Sequence, residues 1–220
     1  MYCGYSFLRD TFRTTALSLS NEAVVNSGVN KLVRADSQLF VPPRMAPDKN
    51  DLMAQLVFAL KHEGINLEIL SQVLPKLDSA LLQQSLDNKP SSAIYRKIGW
   101  LWEEFTQKQL DYERPSGNYV DFFDDTLYFT GPKRQIPRWR LIFNGLGNLT
   151  YCPIVRKTEK LTDKNTESVF AELNRHLSSI PSQLLQRAAD WAYLSETRSS
   201  FEIEKEAPNG SKAERFVALL

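Results

Sequence analysis

Pro181-Ser-Gln-Leu-Leu-Gln-Arg-Ala-Ala-Asp-Trp-Ala-Tyr-Leu-Ser-Glu-Thr-Arg-Ser-Ser-Phe-Glu-Ile-Glu-Lys-Glu206 carries the clearest helical pattern in this chain of 220 residues. Leu184, Leu185, Ala188, Trp191, Ala192 and Leu194 recur at helical spacing and give it an apolar side. Pro181 suits a first turn, where its missing N–H costs nothing. Pro208-Asn-Gly210 ends the pattern, and Ser211-Lys-Ala-Glu214 has the spacing of a capping box that opens another helix.

Outward from that stretch the chain alternates in character. Asn165–Leu177 is again helical. Between Tyr112 and Ile154 the sequence is rich in Pro, Gly and aromatic residues. Thr126-Leu-Tyr-Phe-Thr130 and Trp139-Arg-Leu-Ile-Phe143 are its strand candidates, and a turn at Asn144–Asn148 would return the second along Leu149–Cys152 as a hairpin. Upstream, helices are expected from Asp51 to a stop at Gly64, over Leu67–Val73, over Ser79–Leu86 entered through Asp78, and over Ser92–Leu110. The first 47 residues read as irregular with β-like pieces at Lys31–Arg34 and Gln38–Val41, the second closed by Pro42-Pro43. The expected fold is α+β, mostly α-helical, with a small antiparallel β-hairpin or sheet in the middle. Its segments are 1–47, 48–111, 112–160 and 161–220.

Composition narrows the class. Hydrophobic residues make up 42% and charged ones 24%, an ordinary balance for a globular protein with a self-sufficient core. A formal charge of +1 argues neither for nucleic acid nor for an anionic membrane as partner. No apolar run approaches the ~20 residues of a membrane span, and the N-terminus lacks the pattern of a secretory signal. Cys3 and Cys152 stand far apart with no ligand spacing, which fits a reducing cytoplasm.

Ser200-Phe-Glu-Ile-Glu204, preceded by Trp191-Ala-Tyr-Leu-Ser-Glu196, resembles the inhibitory helix of Fic-family proteins, the enzymes that transfer AMP. That helix carries a Ser or Thr, three variable residues, a Glu, and then Gly or Asn, where this chain has Lys205. Phe58-Ala-Leu-Lys-His-Glu-Gly-Ile-Asn-Leu67 and Asn144-Gly-Leu-Gly-Asn148 also look like the N-terminal half of a longer bacterial Fic protein. The resemblance implies that Ser200 and Glu204 share a helix face and that Glu204 is the inhibitory carboxylate. It would occupy an arginine of the catalytic loop that otherwise holds the ATP γ-phosphate, since an anion is what competes with phosphate for a guanidinium fork.

The family's catalytic loop, His-Pro-Phe followed by a Gly-Asn-Gly-Arg turn, is not in this sequence. His62 is followed by Glu-Gly-Ile-Asn and His176 by Leu-Ser-Ser-Ile. No catalytic residue is therefore assigned, and this chain by itself is not expected to be an adenylyltransferase. It needs no cofactor of its own, ATP and Mg²⁺ belonging to the full-length family. Its implied partner is a Fic catalytic domain, in cis or in trans. Self-association is a further expectation, from the apolar run of Phe216, Val217, Leu219 and Leu220. A membrane is not an expected partner, and nucleic acid is disfavoured.

A competing class is a stand-alone binding module. Lys133, Arg134, Arg138, Trp139 and Arg140 form a basic and aromatic stretch that can stack bases and contact phosphates. The other reading of it is a half-exposed strand with snorkelling basic side chains. His62 has no ligand-spaced companion and reads as a helix-end histidine, and Asp121–Asp125 reads as a turn rather than a cation loop.

Overall fold

In a computed structural model, residues 1–16, 19, 21–35, 37–112, 118–162 and 166–203 are described, with the backbone alone for Thr162, Thr166, Glu167 and 196–203. The chain divides into two compact units, Met1–Lys157 and Thr158–Leu220. The architecture is mostly helical α+β.

The first unit opens with a helix, not with irregular chain. α1 spans Gly4–Phe12, and its own N-cap residue Cys3 makes no capping side-chain bond. The unpaired N–H groups of its first turn are met from elsewhere. Gly4 N–H donates to Gln55 Oε1 at 2.7 Å, and Tyr5 N–H donates to Glu63 Oε1 at 2.9 Å. Gly4 has φ +60, and a Cβ there would overlap the Glu63 carboxylate. Glycine at this position is what lets the acceptor approach.

After α1 come β1 (Glu22–Val25), β2 (Val33–Ala35) and β3 (Gln38–Val41), in the spatial order β1-β3-β2. β1 runs parallel to β3 with Ala23 beside Leu39, while β2 is antiparallel to it. Alternation puts Ala23, Leu39 and Val41 on the buried face with Cys3 and Phe58.

The next helices follow their local caps. Asp51 accepts from Ala54 N–H at 2.9 Å at the head of α2 (Leu52–Phe58). Asn66 does the same for Ile69 in α3 (Leu67–Val73), and Asp78 for Ala80 in α4 (Ser79–Asn88). α2 does not stop at Phe58 but runs into a π-helical turn, Ala59–Glu63, closed by Gly64 at φ +98. α5 (Ala93–Thr106) ends four residues before the expected Leu110, because Gln107 turns into the left-handed region.

α5 carries the aromatic core. Trp139 lies against Gly99, where a Cβ would strike its ring, stacks on Tyr112 at 4.3 Å, and donates Nε1–H to Glu103 at 2.8 Å. Trp100 meets Phe122 edge-on at 5.0 Å. Arg96 is buried beside them and donates to the Arg140 carbonyl at 3.0 Å.

The middle sheet is mixed, and its antiparallel pair is Arg134–Ile136 with Leu141–Phe143 rather than the expected return along Leu149–Cys152. β4 (Val120–Asp121) is parallel to β6 (Leu141–Phe143), and β5 (Arg134–Ile136) is antiparallel to β6 across a 3₁₀ turn at Pro137–Trp139. Leu149–Cys152 does not pair with β6. The side chain of Asn144, fully buried, accepts from Phe123 N–H at 2.8 Å and donates to its carbonyl at 2.9 Å. It thereby imitates a strand neighbour and ends the ladder. Asn148 and Tyr151 close only a local turn. Thr126–Thr130 is likewise no strand, for Asp124 accepts from both the N–H and the hydroxyl of Thr126 in a turn.

The second unit contains α6 (Glu159–Thr162), α7 (Thr166–Ser178) and α8 (Ser182–Ile203). The Pro181 carbonyl accepts from Leu184 and Leu185 N–H at 2.9 and 3.1 Å, starting α8 where the sequence reading starts it. The expected extension through Glu206, the stop at Pro208–Gly210, the capping box at Ser211 and the apolar run to Leu220 lie outside the described residues. Among the described residues no helix is long and apolar enough to cross a membrane.

Candidate functional site

Ser200 lies within α8, whose last described residue is Ile203, and Glu204 lies outside the described residues. Upstream on the same helix Leu184, Arg187, Ala188, Trp191 and Leu194 follow one another by three and four positions and line a shallow hollow along one side. This face is held out. Trp191 is 72% exposed and Leu184 55%. α7 repeats the pattern, with Val169, Phe170, Leu173 and Leu177 within about 100° of arc and all exposed. Phe170 is 61% exposed. Apolar residues placed periodically on one side of a helix and left in water form a surface that awaits a partner.

The basic stretch takes a different form from a nucleic-acid platform. Trp139 is 1% exposed, so its ring cannot stack on a base. Lys133 pairs with Asp121 at 2.8 Å, and Arg138 with Glu103 at 3.0 Å while also donating to the Leu110 carbonyl. Arg134 lies over the Phe143 ring and Arg140 over Tyr119. The basic groups are tied to local acids, carbonyls and rings, and the aromatic member is core. Burial of Trp139 takes the ring out of the expected basic and aromatic surface, while Lys133 and Arg134 stay exposed.

His62 stands in the π-helical turn, 4.9 Å from the Phe58 ring. Burial, then Lys61 and Arg34, hold its imidazole below its usual range. Among the described residues no group of three or more His, Cys, Asp or Glu side chains could hold a metal ion.

A second concave site went unseen in the sequence. The π-helical turn projects Glu63 into a cavity of about 190 Å³ lined by Tyr5, Asn21, Asn66, Tyr128 and Arg156 among others. Tyr5 O–H donates to the Gly64 carbonyl at 2.8 Å and accepts from Asn66 N–H at 3.2 Å. Burial lifts the Glu63 carboxyl to about 7, although the Tyr5 N–H and Arg34 pull it the other way. Burial, then Glu63, pushes the Cys3 thiol up to about 12, so that thiol is inert near neutrality. The only available signal was the pair of glycines. A Cβ on Gly64 would meet the Tyr128 hydroxyl, as one on Gly4 would meet Glu63.

No family model, curated protein or solved structure matches this chain.

Proposed function

We propose that this chain is the non-catalytic, regulatory N-terminal portion of a Fic-family adenylyltransferase, with Glu204 as the inhibitory carboxylate. The observation that carries the reading is the C-terminal unit's exposed apolar faces on α7 and α8, directly upstream of Ser200 and Glu204. A regulatory helix must dock on a catalytic domain before its carboxylate can reach an arginine there. Trp191, Leu184 and Phe170 supply apolar anchors of the kind that dominate such interfaces. The helical backbone through Ser200 to Ile203 supports the same reading, because the inhibitory motif it resembles is borne on a helix.

In this reading the catalytic domain, not this chain, holds ATP and Mg²⁺ and supplies the base. Glu204 occupies the arginine that would grip the γ-phosphate, and transfer of AMP to a protein hydroxyl stalls for want of a correctly placed α-phosphate. The test adds this chain in trans to a cognate Fic catalytic domain and follows AMP transfer from labelled ATP. Suppression that Glu204→Gly removes, and that Glu202→Gly and Glu206→Gly largely keep, is the expected result. The two neighbours point about 160° away from Glu204 on a helix. Equal loss in all three variants would reduce the helix to a steric plug, and no suppression after confirmed docking would refute the assignment.

A further inference from the structure

The cavity beside the π-helical turn is lined by an acid and a base, Glu63 and Arg156, that do not pair with each other. Glu63 spends Oε1 on the Tyr5 N–H, while Oε2 is enclosed and has no hydrogen-bond partner among the described residues. Buried acceptors are nearly always satisfied, so an exception of this kind calls for a missing donor. On the same lining Arg156 lies over the Tyr128 ring, 5.8 Å from its centroid, and forms no ion pair among the described residues. Ile65 and Ile154 add an apolar wall, and Asn21 and Asn66 add amide groups.

We infer that this cavity binds a small zwitterion, a free α-amino acid or close analogue. Its ammonium sits on Glu63 Oε2, its carboxylate on Arg156, and its side chain against Ile65 and Ile154. A simple cation would answer Glu63 but oppose the guanidinium, and a simple anion would do the reverse. A ligand carrying both charges meets each with a charge-assisted hydrogen bond, and the planar guanidinium fork suits a carboxylate. The ammonium's remaining donors have the Asn21 amide within the same lining. About 190 Å³ holds roughly six waters at ~30 Å³ each, the scale of a small metabolite.

The backbone around the cavity supports this reading. The carboxylate is delivered by a π-helical turn, a rare geometry that clusters at functional sites. It is admitted by Gly4, and Gly64 beside it admits the Tyr128 hydroxyl to the same lining, both glycines at positive φ. The inference does not require Glu204 to be inhibitory, since it uses none of the residues of the C-terminal unit.

The test is ligand-observed saturation-transfer NMR on the full chain with each of the twenty free amino acids as probe. The strongest binder is then compared with its amide, which lacks the carboxylate, and with its deaminated acid, which lacks the ammonium. Saturable binding at or below the millimolar range, weakened at least about tenfold by either deletion, is expected. Glu63→Gln and Arg156→Gln should each weaken it to a similar degree, while Glu68→Gln, on exposed surface, leaves it intact. The absence of saturable binding by all twenty would overturn the proposal, as would amide and acid forms that bind as well as the parent. If Glu63→Gln does not fold, the analogue series decides alone.

Discussion

The two units of this chain treat the same kind of residue in opposite ways. In Met1–Lys157 the tryptophans are core: Trp139 is wedged against Gly99 and hydrogen-bonded to Glu103, and Trp100 is ringed by phenylalanines. In Thr158–Leu220 the lone tryptophan, Trp191, stands in water on a helix face with Leu184 and Ala188. Both placements obey the same periodicity. The difference lies in whether a second element arrives to cover the apolar side. In the first unit α5 and the mixed sheet cover each other, so that region is self-sufficient. Among its described residues, the second has apolar stripes that no other element covers.

Truncation of the two tryptophans gives the sharpest contrast. Trp139→Ala empties a packed site and removes one donor from Glu103, and should cost about 3–5 kcal/mol in urea unfolding. Trp191→Ala should change that figure by less than about 0.5 kcal/mol and act instead on association, lowering suppression in the trans assay. A large stability loss at Trp191 would mean that its face is already covered.

A second prediction concerns pH and belongs to the first unit alone. The Glu63 carboxyl rises from 4.5 unfolded to about 7 folded, so the native state binds a proton that the unfolded state releases. Stability from this group is complete below the unfolded value and is lost as pH climbs to about 7, by about 1–3 kcal/mol. Facing it, the Cys3 and Tyr5 groups are raised out of this window, and Arg34 acts only to pull the Glu63 carboxyl back down. His62 works in the opposite sense, its lowered imidazole favouring the fold as pH rises. The difference between parent and Glu63→Gln across pH 4.5–7 isolates the carboxyl. Identical slopes would refute its burial.

Smaller still is the loss of one cap. Asp78→Ala removes the acceptor for Ala80 N–H and should cost about 1 kcal/mol by thermal unfolding. The effect should register in the cooperative transition of the first unit.

What the sequence revealed and what it hid separate along a physical line. Asp51, Asn66 and Asp78 cap helices two or three residues away, so those starts are written locally. α1 was missed because its acceptors, Gln55 and Glu63, lie 51 and 58 positions off. The hairpin was expected because Asn144–Asn148 has turn composition, but the Asn144 side chain preferred the backbone of Phe123, and no local pattern encodes that choice. The sequence left the stretch around Trp139 two readings, a stacking surface or a half-exposed strand, and the slot at Gly99 places the ring in the core. At the sites, Ser200 was placed on a helix by periodicity, whereas Glu63 and Arg156 share a cavity without sharing a motif.

The borrowed caps of α1 set an order of events at the ribosome. The N-terminal helix is made first, yet its acceptors are not in the chain until residues 55 and 63 have been added. At about 5–20 residues per second, that is a wait of roughly 3–12 s. During it α1 has neither its capping acceptors nor the α2 surface against which it folds. The opening segment should therefore stay unprotected until residue 63 has been added, although its own residues are made well before.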